Sequence, residues 1–176
     1  MRSLRSALVL VGVLAASTAR AQCTAAGNGG NCGEPASVSM TAGRVVRLQM
    51  SAGSTSLTAP SPADFDAGFN STAGPTLTVS ANAAWTLHIR AASPVWTATN
   101  TAPGVTARAN KPAGDLKWSI VNGGSYTALS ASDASLVSGS ATASDATTLY
   151  FQTLYDWALD TPGNYSMTVV LTLTSP

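Results

Sequence analysis

Short runs of alternating apolar and polar residues, separated by turn formers, constrain the fold of this chain most strongly. In WTLHIRA (85–91), DLKWSIV (115–121) and YSMTVVLTLT (165–174), apolar residues recur at every second position. Successive side chains of a strand point to opposite faces of the sheet, so this period predicts strands with one buried face. Similar runs predict further strands at residues 37–41, 44–50, 76–81, 125–130 and 148–155, and residues 54–58 are a candidate for a brief strand.

No segment of useful length has the apolar period of a helix. The chain is therefore predicted to be all-β: a single immunoglobulin-like antiparallel β-sandwich of about 7–9 strands. The residues Asn122-Gly123-Gly124 tolerate a positive φ angle and predict a hairpin turn. Residues 59–75 are interpreted as a connection, and residues 130–147 as a loop with one short strand near Leu136 and Val137.

The first 21 residues have the layout of a cleaved signal peptide. Arg2 and Arg5 precede an apolar stretch from residue 7 to residue 16, and Ala19 and Ala21 are small residues before the expected cleavage point. The predicted organisation is a signal peptide at 1–21, a disulfide-closed loop at 22–35 and a β-sandwich domain at 36–176. No stretch is long and apolar enough to predict a membrane span after cleavage. We expect a secreted or extracytoplasmic protein, in the periplasm or on the cell surface of a bacterium.

The two cysteines of the chain, Cys23 and Cys32, enclose a loop rich in Gly and Asn. Export places them in an oxidising compartment, where nearby cysteines pair, so we predict a Cys23–Cys32 disulfide. A zinc site is the alternative, but two cysteines without a nearby histidine supply too few ligands.

The charge of the mature chain excludes one class of partner. Without Arg2, Arg5 and Arg20, the chain has six basic and eight acidic residues, and the basic residues form no patch. Nucleic-acid binding requires such a patch to contact phosphates. No nucleic-acid partner is therefore expected.

The residues available for chemistry argue against an enzyme. His88 is the only histidine, and its place in the alternating run at 85–91 predicts the polar face of a strand. No serine lies in a nucleophile elbow, and the carboxylates lie mostly in turns. Asp64 and Asp66 could supply oxygen ligands, but two carboxylates fall short of a calcium site. We expect no catalytic residue, no metal and no cofactor.

The four tryptophans supply the candidate binding residues. Trp85 and Trp118 alternate with aliphatic residues and are predicted to lie in the core. Trp96 and Trp157 lie near strand ends or in loops, where an exposed indole ring could stack on a sugar ring. The alternative role for both is to cap the ends of the sandwich core.

The chain also resembles bacterial secreted β-sandwich surface proteins, a set that includes WxL-like, spore-coat-U-like and pilin-like domains. The resembling stretches are LTAPSPADFDAGF, LTVSANAAWTLHIRA, KPAGDLKWSI and PGNYSMTVVLTLTSP, within residues 36–176. Trp85-Thr86-Leu87 matches the three letters of the WxL signature once, without a second copy near the C-terminus. The resemblance implies a surface-associated structural or binding role without catalysis.

We therefore expect a non-catalytic structural or adhesive protein, such as a coat, fibre or surface-layer subunit. Few charges and a Ser/Thr-rich outer face leave strand edges open to association with other copies or other cell-surface proteins. The alternative is a carbohydrate- or cell-wall-binding module that uses exposed tryptophans on a polysaccharide. A secreted partner or inhibitor of another protein is a third class.

Overall fold

The structure is a computed structural model that describes residues 24, 27, 32–33, 36–101 and 103–176. It divides into two units, Met1–Ala42 and Gly43–Pro176. The predicted signal peptide (1–21) and Cys23 lie outside the described residues, so the signal peptide and the Cys23–Cys32 disulfide stay predictions. In the first unit, residues 37–41 form no strand, contrary to the prediction, and Val38 and Met40 are exposed.

The second unit is built almost entirely of antiparallel strands. Ten strands are assigned among its described residues: β1 (Val46–Met50), β2 (Phe69–Ala81), β3 (Trp85–Ala91), β4 (Thr97–Thr99), β5 (Leu116–Ser119), β6 (Thr127–Ala128), β7 (Ala134–Gly139), β8 (Thr142–Leu154), β9 (Asn164–Ser166) and β10 (Val169–Thr174). A short helix, α1 (Pro62–Ala67), and a 3₁₀ turn (Ala113–Asp115) complete it. No helix among the described residues is long and apolar enough to cross a membrane.

The strands form two main sheets and one small ribbon. The larger sheet has the order β1-β2-β8-β5-β6, the smaller sheet has the order β10-β3-β7, and β4 pairs with β9. The sheets pack together around an apolar core, which confirms the predicted all-β sandwich. The short β4 and β9 raise the number of strands above the expected 7–9.

The period-two pattern accounts for the core. In β3, the odd-numbered positions are buried and the intervening ones are partly exposed. Trp85, Leu87 and Ile89 are all at most 2% exposed, and they meet Leu77 and Leu149 from the other sheet. Burying a side chain of this size contributes about 1.5–3 kcal/mol. The predicted placement of Trp85 and Trp118 in the core is also confirmed.

Turn chemistry explains where the strands begin and end. Gly123 has a φ of 68°, and β5 and β6 pair on either side of it, which confirms the predicted hairpin. Gly74 lies in β2 close to a shift in the β2–β8 register, where a Cβ atom would approach the Phe151 ring to 2.7 Å. Only glycine fits there without displacing the ring, so the bulge depends on it.

The predicted connection at 59–75 was wrong, because these residues contain α1 and the first half of β2. In residues 130–147, the short strand predicted near Leu136 and Val137 is confirmed as β7, whereas the start of β8 at Thr142 was not predicted. The candidate strand at 54–58 is absent. The predicted strand at 165–174 is interrupted at Met167 and Thr168, so that its first part pairs with β4 and its second part with β3.

Candidate functional site

Trp157 lies on the connection between β8 and β9, and its exposed side chain makes one ring contact and one hydrogen bond. The residue is 62% exposed, as predicted for a candidate binding tryptophan. Its ring stacks on Phe65, with ring centroids 4.6 Å apart and planes inclined by 28°. Its Nε1 donates a hydrogen bond of 3.0 Å to Asp66 Oδ1. The centroid of the Tyr155 ring lies 5.4 Å from the centroid of the Phe65 ring. We call Phe65, Tyr155 and Trp157 the aromatic shelf.

Helix α1 positions Phe65 of this shelf and also Asp66, which accepts the hydrogen bond from Trp157. Ser61 begins the helix with a capping box: the Asp64 N–H donates to the Ser61 hydroxyl, and the Ser61 N–H donates to Asp64 Oδ2 over 2.7 Å. Pro62 fits the first helical turn, and Gly68 ends the helix with a φ of 78°. The hydrogen bonds from Ser61 hold the pKa of Asp64 below its ordinary value of 3.8. This turn presents Phe65 and Asp66 to Trp157.

Trp96 does not form part of an exposed platform. The expectation that it is exposed was wrong, because the residue is only 4% exposed and its Nε1 donates a hydrogen bond of 3.1 Å to the Pro112 carbonyl oxygen. The backbone also bonds here, from the Trp96 N–H to the Lys111 carbonyl oxygen. Trp96 therefore packs into the end of the core, which was the alternative role given for it above. A binding role for Trp96 stays a prediction.

A cavity of about 540 Å³ lies beside the shelf. Four aromatic residues line it, together with several threonines and two prolines: Phe65, Trp96, Tyr155, Tyr165, Pro60 and Pro162. Burial raises the pKa of Tyr155 above its ordinary value of 10.0. A hydrogen bond with Thr153 opposes this shift, and the charges of Asp64 and Asp160 reinforce it. The cavity is therefore an aromatic recess with hydroxyl groups in its wall.

Lys111 and Asp160 contact the same cavity and belong to a buried group of charges. The Lys111 Nζ lies 2.9 Å from Asp160 Oδ1, 3.2 Å from Asp115 Oδ2 and 2.8 Å from the Leu154 carbonyl oxygen. Arg108 NH1 lies 3.0 Å from Asp160 Oδ1 and 3.4 Å from Asp115 Oδ2. The Lys111 and Asp160 side chains are only 3% and 6% exposed. We call Arg108, Lys111, Asp115 and Asp160 the Lys111 cluster.

The Lys111 cluster was not predicted from the sequence. Its members come from the segment before β5 and from the connection after β8, which the fold brings together. One sequence signal was available: Lys111 and Asp115 are four residues apart, in a chain of which only 10% is charged. Asp160 looked like an ordinary turn residue in DTPGN, and nothing in its spacing indicated a buried partner.

A second cavity, of about 590 Å³, opens along another side of the sandwich. It is lined by residues 52–57, which follow β1, by residues of β9 and by the residues between β9 and β10. Four core side chains also line it: Trp96, Leu116, Leu149 and Phe151. Met50, Leu57, Met167 and Leu171 complete its apolar lining. We call it the edge cleft, because β1 and β10, the outer strands of the two main sheets, both contribute to it.

His88 lies on the outer face of β3, as its alternation predicted. Its neighbours across the sheet are Thr172 on β10 and Ser135 on β7. Asp64 and Asp66, the two carboxylates considered for calcium, accept hydrogen bonds from Ser61 and Trp157 instead. In the part of the chain that the structure describes, no group of three or more His, Cys, Asp and Glu side chains could hold a metal ion.

Two sequence comparisons with known proteins identified no relative of this chain. No family model matches the chain, and a search of curated proteins finds no match.

Proposed function

We propose that this protein is a non-catalytic secreted or cell-surface structural subunit, of the coat, fibre or surface-layer kind. Its copies associate with one another, or with other cell-surface proteins, through added β-strands. One observation carries the proposal: Val38 and Met40, two positions apart in a non-helical segment, are 94% and 88% exposed. When such a segment pairs as a strand, side chains two positions apart lie on one face, so these two would give the added strand an apolar face.

The outer strands of the sandwich support the same proposal. β1 and β6 are the edges of the larger sheet, and β10 and β7 are the edges of the smaller one. β6, β7 and β10 carry no charged residue, and β1 carries only Arg47, whose side chain bonds to Ser80. Charged residues on edge strands are a common protection against unwanted pairing. Edges without them are suited to pairing with another chain.

The edge cleft supplies a place for an added strand. Apolar residues form much of its lining, and the edge strands β1 and β10 contribute Met50, Val169 and Leu171 to it. A strand with Val38 and Met40 on one face would place these side chains in the cleft and bond through its backbone to an edge. Burying the two side chains would contribute about 1.5–3 kcal/mol each. The segment around residues 37–41 of a second copy therefore matches the cleft in chemistry.

Light scattering after size exclusion, with electron microscopy, tests this proposal on the mature protein. We expect oligomers or filaments of the unaltered protein, and a monomer for the double variant Val38→Ser/Met40→Ser. The matched control is Val121→Ser/Leu159→Ser, which removes two other exposed apolar side chains and should still associate. A monomer of the unaltered protein at every concentration, or equal loss of association in both double variants, contradicts the proposal.

The aromatic shelf favours a second candidate function, binding of a polysaccharide. A sugar ring stacks on a flat aromatic face, and Trp157 is held by Phe65 beneath it and by the bond to Asp66. Holding the ring in advance reduces the ordering cost of binding. Quenching of tryptophan fluorescence by cell-wall polysaccharides would test this function. Trp157→Ala should abolish the change, whereas Leu159→Ala on the same connection should retain it.

A further inference from the structure

The Lys111 cluster places an amine against a carboxyl group inside the domain. The Lys111 Nζ lies 2.9 and 3.0 Å from the two carboxylate oxygens of Asp160, and both side chains are almost fully buried. The two residues belong to connections on either side of β5 and β8, far apart in the sequence. A bond between them would therefore cross-link the segment before β5 to the connection after β8.

We propose that Lys111 and Asp160 form an intramolecular isopeptide bond. The Lys111 ammonium first gives one proton to the Asp160 carboxylate. This leaves a neutral amine at Lys111 and a neutral carboxylic acid at Asp160. The amine nitrogen then attacks Asp160 Cγ, so that a C–N bond forms and a tetrahedral intermediate carries the two oxygens. One C–O bond breaks, and that oxygen leaves as water with two hydrogens that came from the ammonium. The step consumes no oxidant or other reactant.

Burial favours this conversion. An ion pair withdrawn from water loses much of its hydration free energy, and its mutual attraction must replace that loss. An amide carries no charge, so the reaction removes this cost. The reacting groups are also held together by the fold, and fixed proximity is worth a large effective concentration in intramolecular reactions.

The neighbouring groups have the positions that the reaction needs. Asp115 Oδ2 lies 3.2 Å from the Lys111 Nζ and can carry the proton from nitrogen to the departing oxygen. Arg108 NH1 lies 3.0 Å from Asp160 Oδ1, and the Asp156 N–H donates over 3.0 Å to Asp160 Oδ2. After attack, Arg108 and the Asp156 N–H are placed to stabilise the charge on the tetrahedral oxygens.

The intact mass of the purified, reduced and denatured protein tests the proposal directly. We expect a mass lower than the sequence mass by one water molecule. The chain has two lysines, so the same substitution at the other lysine serves as the control. Lys111→Arg should have its full sequence mass, and Lys117→Arg should still lack one water. Asp115→Asn should reduce the fraction that has lost water. An unaltered protein at its full sequence mass overturns the proposal, whether or not any variant folds.

Digestion with trypsin locates the bond. The enzyme cuts after Arg108 and Lys117 but not at Lys111, which Pro112 follows, and no Lys or Arg follows Lys117. Peptides 109–117 and 118–176 should therefore remain joined after reduction, with a combined mass one water below their sum. Separation of the two peptides, even from a protein that has lost water, would show that the water came from another residue and would overturn the assignment.

Discussion

Gly139 lies opposite Trp85 in the smaller sheet, and its replacement by alanine should be costly. A Cβ atom at Gly139 would lie 2.8 Å from Trp85 Cζ2 and 2.9 Å from Cε2. The indole ring cannot move aside freely, because it is 2% exposed and its Nε1 donates a 2.9 Å hydrogen bond to the Ser140 carbonyl oxygen. Forcing an extra carbon into a packed core costs about 1–3 kcal/mol. Losing the hydrogen bond costs about 0.5–1.5 kcal/mol more.

We therefore expect Gly139→Ala to lower the free energy of unfolding by about 2–4 kcal/mol. Urea unfolding monitored by tryptophan fluorescence measures this change. The urea midpoint should fall, while the slope of the unfolding free energy against urea concentration stays the same. The matched control is Gly53→Ala: nothing lies within 4 Å of a Cβ atom there, so the change should stay within about 0.5 kcal/mol.

A second substitution separates this contact from a general effect on β7. Trp85→Phe removes the part of the ring that the new Cβ would meet. In that background, Gly139→Ala should cost less than about 1 kcal/mol. Equal stability of Gly139→Ala and Gly53→Ala, or an unchanged cost in the Trp85→Phe background, would refute the packing explanation.

Three further predictions concern the aromatic shelf and its helix. Trp157→Ala should lower the free energy of unfolding by less than about 1 kcal/mol, since the side chain is mostly exposed, and calorimetry would measure this. Because the pKa of Asp64 is lowered, its stabilising effect is present above its unfolded-state pKa and disappears as the pH falls through the folded-state value. The difference in urea midpoint between the unaltered protein and Ser61→Ala should therefore shrink in acid; a constant difference would contradict this reasoning. Because the pKa of Tyr155 is raised, stability should fall as the pH rises above 10.0, and Tyr155→Phe should lose less stability over that range.

The sequence pattern was most informative where one physical effect dominates. The alternation around Leu87 predicted β3 because side-chain burial decides the faces of a strand. It failed for α1, where the capping box of Ser61 and Asp64 outweighs the turn-forming composition of the segment. It also failed for β2, because Gly74 and Pro75 suggest a break, whereas the strand continues through them with a shift of register.

The candidate site was only partly predictable, because it depends on tertiary contacts. Trp157 was expected to be exposed from its place in a loop, but its partner Phe65 is contributed by a helix that was not expected. Trp96 lies two residues after a proline and was expected to be exposed. In the structure it is buried, and its Nε1 donates a hydrogen bond to the Pro112 carbonyl oxygen. Lys111 and Asp160 meet only because β5 and β8 are neighbours in one sheet.

The placement of β1 and β10 at the sheet edges also determines how the domain would carry a pulling force. β1 is joined to β2 through five residue pairs, and β10 is joined to β3 through six. Tension applied between the chain before β1 and the C-terminus acts first on these pairs, so we expect the outer strands to detach before the core opens. A bond between Lys111 and Asp160 would then prevent residues 112–159 from being stretched, and the domain would extend less before it broke.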